Sequence, residues 1–107
     1  MTPASPQGDP FDALGDGNRR EILRLLSSGD LSVRELAEEL PISRPAVSRH
    51  LRLLKQAGMV DDRPEGTRRL YRLSEEGLET IRDYLTVVWG EAAARFKIAA
   101  ENISRRR

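Results

Sequence analysis

Two helical patterns with about two residues between them constrain this chain more than any other feature. Ser32-Val33-Arg34-Glu35 has the spacing of a capping box, in which a serine hydroxyl and a glutamate three residues on satisfy each other's backbone amides. Leu36 and Leu40 follow at helical spacing, and Pro41 stops the pattern because its ring cannot continue a helix. Ser43 then caps another helix, with Pro45 tolerated in the first turn and Gly58 placed to close it. Only Pro41-Ile42 lies between the two, so they must turn sharply against each other. That predicts a helix-turn-helix.

The flanking segments extend this reading. Residues 1–8, rich in small and polar types, read as a loosely tethered tail. Asp9 to Leu14 fits a short helix with Phe11 and Leu14 as apolar anchors, broken by Gly15-Asp16-Gly17. Ile22, Leu23, Leu25 and Leu26 mark a further helix that ends at Ser27-Ser28-Gly29. After Gly58, Val60–Arg63 and Arg68–Leu73 read as strands around a Pro64-Glu65-Gly66-Thr67 turn. A hairpin after a helix-turn-helix is a wing.

Ser74 caps a last helix expected to run to about residue 104, with 105–107 as a short basic tail. Such a helix is about 45 Å long, more than so small a globule can cover. Leu78, Ile81, Leu85, Val88, Ala92, Phe96, Ala99 and Ile103 recur along it at steps of three and four, flanked by Tyr84 and Trp89. The stripe predicts a partner helix, with Phe11 and Leu14 helping; the alternative is packing on the chain's own core. Only 38% of the 107 residues are hydrophobic, so a second buried surface would help the fold. The expected architecture is mainly α with a small β-hairpin, a winged helix-turn-helix domain over 9–104 that includes a dimerisation helix at 74–104.

Charge is unevenly distributed behind a net value of +1. Residues 1–17 hold three acids and no base, whereas Ser43–Gly58 holds Arg44, Arg49, Arg52 and Lys55 and no acid. With Val47, Leu51 and Leu54 turned to the core, the opposite helix face presents Pro45, Ser48, Arg49, Arg52 and Gln56, with Ser43 and Arg44 at its start. The long side chains there are donors suited to phosphates and guanine edges. Around the hairpin turn, Arg63, Thr67, Arg68 and Arg69 can reach phosphates or an adjacent minor groove. On charge alone a solvated cationic face would serve equally. The tight turn, the acid-free face and the hairpin together favour double-stranded DNA.

Ser43-Arg-Pro-Ala-Val-Ser-Arg-His-Leu-Arg-Leu-Leu54, followed by Lys55-Gln-Ala-Gly-Met-Val60, resembles the recognition-helix signature of ArsR/SmtB-type winged-helix repressors. Phe11–Leu23 resembles the segment with which that family opens, and the similarity extends over residues 9–104. The resemblance implies a homodimer joined by its terminal helices, its two recognition helices on a palindromic operator. Trp89–Lys97 is similar to a metal-independent branch that includes autorepressors. The chain departs from the metal-sensing members: Asp30–Leu40 has no cysteine and the last helix no histidine, although tight zinc or soft-metal sites need thiolate or imidazole.

Several functions are excluded. The chain has no cysteine and one histidine, so disulfides, thiol nucleophiles and His-rich metal sites are absent from it. His50 matches the family's histidine at the edge of the buried helix face, where it is expected to pack and hydrogen-bond, with a phosphate contact as the alternative role. No nucleophile–base–acid set can be assembled around it, so no catalytic residue and no cofactor are expected. Glu75, Glu76, Glu79 and Asp83 could at most hold a hard cation weakly. No apolar run reaches the roughly 18 residues of a membrane span, no secretory signal is expected, and the cytoplasm is the expected location. The reading is a dimeric, sequence-specific transcriptional regulator acting as a repressor. Its alternatives are a winged-helix module that binds protein, or a DNA-binding regulator whose signal is sensed by a partner protein or by that weak carboxylate site.

Overall fold

Asp9 accepts a hydrogen bond from the Phe11 amide at 2.8 Å and so caps α1 (Pro10–Ala13). Asp16 caps α2 (Gly17–Leu26) in the same way, accepting from the Asn18 and Arg19 amides at 2.8 and 3.1 Å. These contacts begin a computed structural model that describes residues 8–105; of the expected tails, residues 1–7 and 106–107 lie outside it. There follow β1 (Leu31–Ser32), α3 (Val33–Glu39), α4 (Arg44–Gln56), β2 (Val60–Glu65), β3 (Arg68–Leu73) and α5 (Glu75–Arg105).

The Ser32–Glu35 capping box forms with both hydrogen bonds, at 2.9 and 3.2 Å. Gly58, at φ 74°, ends α4. Its amide donates to Lys55 and the Met59 amide to Leu54, at 3.0 and 2.9 Å, the paired bonds of a Schellman motif. Leu54 and Met59 are both buried at that end. Ile22, Leu36, Val47, Leu51, Leu54 and Val60 are fully buried at the junction of α2, α3, α4 and the sheet. Each contributes about 1.5–3 kcal/mol by leaving water.

Two expectations change. The sheet has three strands rather than a lone hairpin, because Leu31-Ser32 bridges β3 opposite Tyr71 and Leu70, giving the antiparallel order β1-β3-β2. The turn also shrinks: Pro64 and Glu65 continue β2 opposite Arg69 and Arg68, and only Gly66-Thr67 loops out. Pro64 fits there because β2 is an edge strand, where a missing N–H breaks no ladder. Gly66, at φ 63°, takes the first loop position, which two-residue hairpin turns reserve for a residue of positive φ.

Helix α5 is hydrogen-bonded to the body at its start, and Tyr84 in its third turn meets Phe11 of α1. The Ser74 amide donates to Met59 at 2.9 Å and the Gly77 amide to Gly58 at 2.8 Å. Gly77 is the one buried residue among those described in α5. The rest of the helix projects, so the Cα radius of gyration is 18.0 Å, against about 13 Å for a compact chain of this size.

Candidate nucleic-acid interface

Helix α4 turns Val47, Leu51 and Leu54 fully inward and leaves Ser43, Arg44, Pro45, Ser48, Arg49, Arg52 and Gln56 exposed, all on the surface side. The Ser43 hydroxyl accepts from the Ala46 amide at 3.3 Å and sets where the helix begins. Among the described residues, Arg44, Arg49 and Arg52 pair with no carboxylate. His50 is half-buried with Nδ1 3.4 Å from Nη1 of Arg19, a long contact in which only the guanidinium donates. The Arg19 Nε also donates to the Ala13 carbonyl at 2.9 Å, so this arginine joins α1, α2 and α4. That gives His50 the packing role expected at the edge of the buried face.

The wing cations are held differently. Arg63 donates from Nη2 to Asp30 at 3.1 Å and from Nη1 to Glu65 at 3.2 Å. Arg68 donates from Nη1 to Glu35 and from Nη2 to Glu65, both at 3.4 Å. Arg69 uses Nε on Asp62 at 2.5 Å, and the other oxygen of Asp62 takes the Lys55 ammonium at 2.7 Å. The hydrogen bond from Lys55, with that from Arg69 next, holds the Asp62 carboxyl below the usual carboxylate range. The capping bond from the Ser32 amide does the same for Glu35. Thr67 is exposed at the loop. A cleft of about 620 Å³ separates the wing from α3 and the start of α4, with Arg34, Arg44, Arg68 and Arg69 on its walls beside Glu35 and Glu38. In the sequence Lys55 reads only as part of a basic run, and Asp30 and Asp62 carry no signal of their roles. Their partners lie on other elements, and no local spacing signals them.

On α5, Leu78, Leu85, Val88, Trp89, Ala92 and Phe96 are exposed and Ile81 is half-buried. Phe11 is 39% exposed and meets Tyr84 edge-on at 4.9 Å between ring centroids. Leu14 is half-buried and lines an apolar groove of about 310 Å³ with Leu23, Met59, Leu73, Leu78 and Ile81. The expected stripe is therefore partly covered by the chain's own body at Leu78 and Ile81 and uncovered from Leu85 onward. Among the described residues no three His, Cys, Asp or Glu side chains gather as a metal site, Glu75, Glu76, Glu79 and Asp83 included. No helix there is long and apolar enough to cross a membrane.

Comparison with known proteins places this geometry. Residues 16–62 match the model of the bacterial regulatory protein, arsR family. The chain is 52% identical over 82 residues to the HTH-type transcriptional regulator Rv2034 of Mycobacterium tuberculosis, covering 77% of each. It is 41% identical over 69 residues to the transcriptional repressor SdpR of Bacillus subtilis, covering 64% of this chain and 77% of that one. Among solved structures, a possible transcriptional regulator for arsenical resistance superposes with a TM-score of 0.70 at 40% identity, over 76% of this chain and 84% of the other. The homodimeric winged helix-turn-helix DNA-binding domain of a possible ArsR-family regulator from Mycobacterium bovis, solved by NMR, gives 0.62 at 34% identity, over 77% and 76%.

Proposed function

Because the chain belongs to the arsR family of bacterial regulatory proteins, we propose that it is a homodimeric, sequence-specific DNA-binding transcriptional regulator that acts as a repressor in the cytoplasm. One observation carries this reading: α4 presents Arg44, Arg49 and Arg52 on an exposed face that contains no acid. Cations left unneutralised on a rigid helix after a tight turn suit a major groove, with the N-terminal half nearest the bases. Ser43, Pro45, Ser48 and Gln56 complete that face, and Arg63, Thr67, Arg68 and Arg69 supply the flanking backbone contacts.

The dimer forms through α5, with Leu78, Ile81, Leu85, Val88, Trp89, Ala92 and Phe96 facing their symmetry mates and Phe11 and Leu14 at the margin. A two-fold axis between the α5 helices places two copies of α4 symmetrically, and about 34–36 Å between them suits successive major grooves on one side of a duplex. This chain has no cysteine to supply a thiolate, so its regulation does not run through soft-metal ligation by its own thiols. That favours the metal-independent branch, with the signal arriving by another route.

Selection of binding sequences from random duplexes tests the reading. The recovered pool is expected to contain an inverted repeat with half-site centres about one helical turn apart. A pool without any enriched sequence would overturn it and favour a module that binds protein.

A further inference from the structure

Asp62 lies at the seam between the recognition helix and the wing, with its side chain only 7% exposed. Both its oxygens are taken, one by the Lys55 ammonium at the end of α4 and one by Nε of Arg69 on β3. Three elements thus meet at one carboxylate. The two cations remain about half exposed, at 54% and 55%, and the cluster keeps a net charge of +1. Their unspent donors matter more than the pairing. An ammonium has three N–H groups and a guanidinium five. Asp62 takes one from each, and among the described contacts both terminal amino groups of Arg69 stay open. Arg63 and Arg68 are arranged the opposite way, with both terminal nitrogens already on carboxylates.

Resting on the DNA-binding reading, we propose that Asp62 is a positioning residue: it holds Lys55 and Arg69 as a preset pair that grips one backbone phosphate where the operator strand passes between α4 and the wing. Long cationic side chains lose rotamer freedom when they seat on a phosphate, and a carboxylate that has already immobilised them removes that loss from the binding step. Simple electrostatics gives the opposite expectation. An acid beside DNA repels it, so deleting the acid should tighten binding. The two accounts differ in sign.

The experiment measures wild type, Asp62→Asn and Asp62→Glu on a selected duplex and on an unrelated one across a salt series. Asp62→Asn is expected to bind both duplexes more weakly although it has lost a negative charge. Its salt slope should fall by about two units per dimer, one phosphate from each protomer. Asp62→Glu should recover part of both losses. Equal or tighter binding by Asp62→Asn overturns the proposal, and so does weaker binding with an unchanged slope, which would mark a structural loss alone. Should Asp62→Asn fail to fold, Lys55→Gln and Arg69→Gln carry the test by phosphate ethylation. One and the same phosphate, whose ethylation blocks the wild type, should become indifferent in both variants; two different phosphates, or none, overturn the proposal. Wild-type binding that does not weaken with salt at all would contradict the DNA-binding reading itself, and this proposal with it.

Discussion

Arg49 and Arg52 project from the exposed face of α4 with no carboxylate partner among the described residues, so each can turn to a base edge with its guanidinium intact. Arg49→Ala and Arg52→Ala are each expected to leave the fold unchanged. At least one should cost about 1–3 kcal/mol of operator affinity and relax preference at a single base pair. Binding profiles across single-base operator variants check this, and unchanged profiles for both variants would contradict the placing of the helix. In the proposed complex Arg63 and Arg68 would first have to exchange their acids for phosphates, which makes them weaker contributors than their charge suggests. The α4 face was readable in advance because one helical period relates Val47, Leu51 and Leu54 to the residues opposite them. The pairing of Arg63 with Asp30, and of Arg68 with Glu35, was not. Each joins residues 33 positions apart, brought together only by the sheet.

At the level of elements, local chemistry and non-local packing separate in the same way. The capping box at Ser32, the Ser43 cap and the Gly58 terminus involve neighbours within five residues, and all three form where the residue types demand. β1 is a two-residue bridge whose existence depends on where β3 comes to lie, and nothing in Leu31-Ser32 itself announces a strand. The persistence of β2 through Pro64 likewise depends on its being an edge. The join between α5 and the body rests on Gly77, which no spacing rule singles out. A β-carbon there would strike the Met59 sulfur and lie 2.9 Å from the Gly58 carbonyl oxygen that the Gly77 amide holds. Gly77→Ala should therefore destabilise the protein by about 1–3 kcal/mol despite the better helix propensity of alanine. Thermal or denaturant unfolding reads this directly; a variant as stable as wild type or more so would show that α5 docks more loosely than described.

For the molecule as a whole, a 31-residue helix with one buried residue among those described is an unfinished structure. The chain's extents of 61 × 42 × 23 Å leave the apolar stripe from Leu85 onward standing clear of the core that Ile22, Leu36 and Leu51 form. In the proposed dimer a second copy covers that stripe, since the same stripe on a two-fold mate can pair with it by symmetry. Leu85→Asp places a charge in the middle of that stripe, where its desolvation is unfavourable. It should yield monomers with an intact wing and helix-turn-helix, and operator binding that has lost its tight, two-site character. Sedimentation equilibrium of the wild-type protein, alone and with a labelled duplex bearing the selected inverted repeat, reads the assembly itself. A dimer is expected at micromolar concentration, with two protomers on each duplex. A monomer that occupies the duplex singly and still binds it tightly would rule out the α5-paired dimer as the DNA-binding form.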